Sequence, residues 1–266
     1  MIDSCGPSDP PLLVSLTGPE EVDLAIASGI RWLDLKDPSV GPLGAPNPSV
    51  AASYLERARQ RANEAILSVA LGELMASTPM PLERIACEFD FAKVALAGCA
   101  RIPEADWIAQ ARQWRDRFPT PGHLILVHYA DHQLAAAPTW EQVVEVAHQL
   151  HGRWVLIDTF DKSAGRLRSW YDNARLAQCV ALARQKGLRI ALAGSLARDD
   201  VRDLRMIGAD LLAVRGAACA NGQRTAKLCK NRLDSLVSLF PTVRSSSERV
   251  FRKRPRASVR HHRAGQ

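Results

Sequence analysis

Eight apolar runs of strand length recur along the chain: Leu12–Thr17, Trp32–Asp37, Ala65–Gly72, Phe89–Gly98, Leu124–Ala130, Val155–Phe160, Arg189–Ser195 and Asp210–Gly216. Polar residues rarely interrupt them, as expected of parallel strands covered on both faces. The segments between them alternate with helical period. Gly18-Pro19-Glu20-Glu21 puts proline and two acids where a helix would begin. Thr139-Trp140-Glu141-Gln142 has capping-box spacing. Ala174–Gln185 runs into Lys186-Gly187, a basic last turn and a glycine stop. Ala197-Arg198-Asp199-Asp200 opens a shorter helix ending near Gly208. Eight such alternations predict an α/β chain with one (β/α)8 TIM-barrel catalytic domain over residues 12–240, after an N-terminal extension at 1–11. An open doubly wound sheet is the competitor. The count of eight, and the lack of a G-x-G-x-x-G after the first run, favour the barrel.

Charge changes this picture only at the end of the chain. The formal net charge is +7, and residues 241–266 hold eight Lys/Arg against one acid, Glu248. The rest is neutral, with 27 basic and 27 acidic residues, so no basic face is implied. The tail is rich in Ser, Arg and Pro and too poor in apolar residues to offset ordering entropy, so it reads as disordered and solvated. A nucleic-acid or acidic-membrane contact is the lesser alternative. Six cysteines show no C-x-x-C pair, and seven histidines show no H-E-x-x-H, so neither a metal nor another cofactor is expected. No signal-like or membrane-length apolar stretch is evident, and the expected setting is cytoplasmic.

In a barrel the active site lies at the C-terminal ends of the strands. The second run ends Trp32-Leu33-Asp34-Leu35-Lys36-Asp37, and side chains two apart on a strand share a face. Asp34 and Lys36 therefore point the same way. In the fourth run Lys93 shares a face with Phe91 and Ala95. The sixth ends Ile157-Asp158-Thr159-Phe160-Asp161-Lys162. A buried ammonium is costly unless paired, and neighbouring lysines depress each other's basicity. Moving a lysine from about 10.4 to near 7 takes about 4 kcal/mol and yields a neutral amine able to attack a carbonyl. The bland readings are an Asp34–Lys36 structural ion pair, Asp158 as a helix cap and Lys162 as a solvated loop lysine. Lys93, enclosed in Phe-Ala-Lys-Val-Ala-Leu with no route to water, tilts the balance to catalysis.

The seventh and eighth runs end in Ala193-Gly194-Ser195 and Val214-Arg215-Gly216-Ala217-Ala218. Turns there commonly bind phosphate through backbone N–H groups, with Arg215 as a charged candidate. Gly194, Ser195, Arg215, Gly216 and Ala217 thus form a candidate phosphate site.

Several stretches, taken together, resemble the (5-formylfuran-3-yl)methyl phosphate synthase family. They are Leu13-Val14-Ser15, Asp34-Leu35-Lys36-Asp37-Pro38 with Gly41-Pro42-Leu43-Gly44-Ala45, Lys93-Val94, Tyr129-Ala130-Asp131, Asp158-Thr159, Ala191-Leu192-Ala193-Gly194-Ser195 and Val214-Arg215-Gly216-Ala217-Ala218-Cys219. The segment Ala220–Arg224 and the Glu73 that follows Gly72 depart from the family pattern. The resemblance implies a class I aldolase-like lyase that joins two glyceraldehyde 3-phosphates with loss of phosphate and water, toward the furan of methanofuran-type cofactors in one-carbon metabolism. Lys36 would match the Schiff-base lysine, Lys93 the proton acceptor, and Asp34, Asp158 and Lys162 further charged positions. A homo-oligomer is the expected assembly. The alternatives are another class I aldolase on phosphorylated sugars, a metal-free orotidine-phosphate-type decarboxylase, and a non-catalytic phosphate-binding barrel.

Overall fold

The computed structural model describes residues 9–76 and 80–240. The basic tail and most of the N-terminal extension lie outside them.

Eight parallel strands close into one barrel in sequence order. They are β1 (Leu12–Leu16), β2 (Trp32–Leu35), β3 (Ile66–Glu73), β4 (Phe91–Ala95), β5 (Leu124–Tyr129), β6 (Trp154–Asp158), β7 (Arg189–Leu192) and β8 (Leu211–Val214). β8 pairs with β1 through Leu12↔Leu212, Leu13↔Ala213 and Val14↔Val214, which closes the ring. Each strand matches one predicted run. All but β3 are shorter than predicted, β4, β7 and β8 most of all, because the ladder ends where the chain turns into its loops.

Alternation along the strands separates two cores. Val14, Leu16, Leu33, Leu35, Leu67, Val69, Ala92 and Val94 point outward and pack with helical residues such as Tyr54, Trp107, Trp140 and Leu176. Leu13, Phe91, Ala95, Ile125, Val127, Leu156, Ala191 and Leu211 fill the interior. The lowest interior tier is aromatic: Trp32 stacks on Phe91 at 6.3 Å and meets Trp154 edge-on at 5.6 Å, with Arg189 over Trp154. This plug fills the bottom, so the space left for chemistry is at the top. Steps of two along the even strands then define the tiers above. Asp34 and Lys93 stand over Trp32 and Phe91, and Lys36 and Asp158 one tier higher.

The predicted helix starts hold, with one exception of consequence. Thr139 and Gln142 form the reciprocal capping box ahead of Trp140–Gln149. Asp172 caps Asn173–Gln185, and Gly187 ends it at φ +72°. Pro19–Glu21, however, is a single 3-10 turn before the helix Val22–Ala27. Glu21 does not serve as an exposed first-turn acid. It is buried and accepts from Thr17 N at 2.9 Å, Leu228 N at 3.1 Å and the Arg215 guanidinium.

Candidate active site

The site is built on the ends of β1, β2, β3, β4 and β6. Asp34, fully buried on β2, is surrounded by donors from three other strands. Ser68 Oγ donates to its Oδ1 at 2.7 Å, Ser15 Oγ to its Oδ2 at 3.0 Å, and Lys93 Nζ pairs with Oδ1 at 2.5 Å. The ion pair is therefore Asp34–Lys93, across the barrel, and not Asp34–Lys36 along one strand. On β6, Asp158 accepts from Lys162 Nζ at 2.5 Å and from Thr159 N at 2.7 Å. Lys162 also donates to Thr159 Oγ1 at 3.1 Å. Asp131 supports this loop, accepting from Phe160 N at 2.7 Å and Asp161 N at 2.8 Å, and so turns Lys162 back over Asp158.

Lys36 differs from both other lysines. Its backbone N–H extends the ladder to Leu16 O at 3.1 Å, and its side chain is 9% exposed. Among the described residues no acceptor or carboxylate lies within bonding distance of its Nζ. Burial is the main influence on its titration. Asp158 and Asp34 work against burial, Lys162 and Lys93 add to it, and the pKa settles at about 8 against an ordinary 10.5. Desolvation thus tunes this lysine more than its lysine neighbours do, and Lys162 counts ahead of Lys93. For Asp158, burial acts to raise the pKa, but Lys162 and Lys36 outweigh it and hold the carboxyl below its usual range.

These groups open into a cavity of about 690 Å³. Nine of the ten predicted site residues line it; Asp34 lies just beneath its floor. Eight of the lining side chains are Lys or Arg and one, Asp158, is acidic, so the cavity suits an anion. On one wall are the turns after β7 and β8. Gly194 at φ +101° and Ser195 at φ +54° are successive left-handed residues. A Cβ on Gly194 would sit 3.0 Å from Leu167 Cβ and 3.1 Å from Thr159 Cγ2, so close packing as well as conformation requires glycine there. The amides of Gly194, Ser195, Gly216 and Ala217 have no acceptor among the described residues, and line the wall as N–H groups suited to phosphate oxygens.

Arg215 is placed at the cavity but is otherwise engaged. Its Nε donates to Arg224 O, Nη1 to Ser15 O and Glu21 Oε2, and Nη2 to Glu21 Oε1 and Ala226 O. All five guanidinium donors are used within the protein. It ties the loop after β8 to that after β1, which leaves it no free N–H for the phosphate contact expected of it. Ser15, Ser68, Glu21 and Arg224 escaped the sequence reading. Ser15 and Ser68 carried a faint signal, as polar residues at inward parity in apolar runs. Glu21 and Arg224 carried none, because their partners are remote in sequence.

Glu73, at the end of β3, accepts from Tyr129 Oη at 2.6 Å and Ala97 N at 2.7 Å. Burial raises its pKa, opposed by these two bonds. Gly44 allows the loop after β2 to fold tightly: a Cβ there would meet Asp37 O at 2.0 Å. Among the described residues no cluster of His, Cys, Asp or Glu suits a metal ion, and no helix is long and apolar enough to cross a membrane.

Fold and site together define a (β/α)8 barrel of the enzyme kind, with buried lysines lining a cavity that suits an anion. The chain belongs to the 4-HFC-P synthase family, whose model matches residues 12–237. The (5-formylfuran-3-yl)methyl phosphate synthase of Methanopyrus kandleri is 30% identical over 230 residues, 84% of this chain and 95% of its own. That of Methanothermobacter thermautotrophicus is 30% identical over 237 residues, 86% of this chain and 98% of its own. Among solved structures, thiamine phosphate pyrophosphorylase from Pyrococcus furiosus superposes with a TM-score of 0.56 at 12% identity. The match covers 87% of this chain and 95% of that one, and shows a shared fold.

Proposed function

We propose that this chain condenses two molecules of glyceraldehyde 3-phosphate into (5-formylfuran-3-yl)methyl phosphate, with loss of phosphate and water, for a methanofuran-type cofactor. One observation carries the assignment of roles: of the three lysines in the centre, Lys36 alone has no carboxylate partner, and its pKa is lowered to about 8. It is the lysine with an available lone pair. Its Nζ attacks the carbonyl carbon of a triose phosphate, the carbinolamine loses water, and the resulting iminium acidifies the neighbouring C–H. Lys93, held by Asp34, and Lys162, held by Asp158, move protons to and from the carbons and hydroxyls beside it. Amides of Gly194, Ser195, Gly216 and Ala217 hold a substrate phosphate. Aromatisation of the furan draws the sequence forward.

The test is reductive trapping. The protein is incubated with glyceraldehyde 3-phosphate and borohydride and the adduct mapped by mass spectrometry, while a parallel sample is followed for furan absorbance. A triose adduct on Lys36 and furan formation are expected. Absence of both would overturn the reading.

A further inference from the structure

We propose that Arg224 forms a second phosphate subsite at the barrel mouth, reaching from the segment after β8 toward the loop after β2. The proposal rests on the reading of phosphorylated substrates. Arg224 follows the turns after β8, and its backbone carbonyl accepts from the locked Arg215. Its Nη2 reaches over to Gly41 O, in the loop after β2, at 2.8 Å. Its side chain lines the same cavity as Lys36, Lys93 and Asp158. Burial lowers its pKa, with Asp158 and Tyr129, on β6 and β5, acting the other way.

The donor count separates the two arginines. Arg215 uses all five N–H groups, whereas Arg224 uses one, and among the described residues no carboxylate lies within 4 Å of it. The nearest candidates are taken: Glu21 by Arg215 and Asp158 by Lys162. Arg224 is also half-buried, and burial lowers its pKa. A partly desolvated guanidinium without a counter-charge is costly, and a dianion offering two oxygens side by side suits its fork. The other cavity arginines are less suited. Arg166 lies 3.7 Å from Asp200, Arg198 donates to Ser235, and Arg232 is exposed. Each of two condensing triose phosphates brings its own phosphate. The amide turns hold one, and Arg224 holds the other beside Lys36.

Full-length protein, Arg224→Gln and Arg224→Lys are compared in three assays: turnover against glyceraldehyde 3-phosphate, borohydride trapping at Lys36, and calorimetric binding of inorganic phosphate. Arg224→Gln is expected to raise KM by about tenfold or more while trapping at saturating substrate is retained. Arg224→Lys, which keeps the charge, should recover part of that loss. An unchanged KM overturns the proposal. So does loss of trapping in step with turnover, which would place Arg224 at the first phosphate. Weaker binding of inorganic phosphate with an unchanged KM would mark a site for released phosphate only, and overturns the substrate assignment. If the parent protein does not turn over the triose at all, the proposed function fails separately. Inorganic phosphate then still reads the subsite, and equal affinity in parent and Arg224→Gln overturns it.

Discussion

Replacing Lys36 by methionine should stabilise this protein while abolishing imine formation. Methionine keeps the aliphatic stem and removes the ammonium, so it mimics the neutral lysine. The folded pKa of about 8 lies below the ordinary 10.5, so the folded state disfavours the charge relative to the unfolded chain. The shift of 2.5 units corresponds to about 3 kcal/mol at 1.36 kcal/mol per unit. The sign follows from proton binding. Below about pH 8 both states hold the proton, and the folded state bears the whole penalty. Between about 8 and 10.5 the unfolded chain binds more protons than the folded one, so wild-type stability rises with pH and the penalty fades. Asp34 and Asp158 are not orphaned by the change, because Lys93 and Lys162 still pair with them. Urea denaturation at pH 7 should show Lys36→Met more stable by about 3 kcal/mol, or roughly 6–12 °C in Tm. The margin should narrow to roughly 1.5 kcal/mol near pH 9.5. If the variant is no more stable than its parent at pH 7, or if the margin is flat with pH, the desolvated-cation account of Lys36 is wrong. Retention of a lysine that costs stability is what a nucleophile, and not an inert barrel, requires.

Two further outcomes follow from the same geometry. Asp158→Asn removes the strongest charge favouring the Lys36 ammonium and leaves Lys162 unpaired beside it, so both effects lower the Lys36 pKa. The pH midpoint of trapping at Lys36 should fall from about 8 by about one unit or more, even as turnover drops; a midpoint that rises contradicts the charge assignment. Arg215→Met breaks a buried pair and leaves Glu21 without its guanidinium, so denaturation should show a loss of about 3–5 kcal/mol. A loss within 0.5 kcal/mol would contradict its role as a lock.

The barrel was legible because its signals are local. Eight apolar runs, the Thr139 capping box and the Gly187 stop all lie within a few residues of the structure they specify. The inward placement of the lysines was legible for the same reason. Strand parity makes Asp34 and Lys36 neighbours on one face, and puts Lys93 with Phe91 and Ala95, whatever surrounds them. The residues that reading missed are those whose meaning depends on distant partners. Glu21 looked like a helix-start acid, and only the approach of Arg215, 194 positions away, makes it a buried clamp.

By itself, then, the sequence determined the strand count, the inward parity of the lysines and carboxylates, and the glycine turns at the seventh and eighth strand ends. It did so because backbone periodicity and glycine's left-handed backbone are properties of the chain at those positions. Only the tertiary structure decided which charges pair. Barrel closure and tilt bring Lys93 of β4 to Asp34 of β2, and the Asp131-supported loop folds Lys162 onto Asp158. Those two pairings leave Lys36 without a counter-ion in a desolvated cavity. Its low basicity is a consequence of long-range packing, which no stretch of sequence around it encodes.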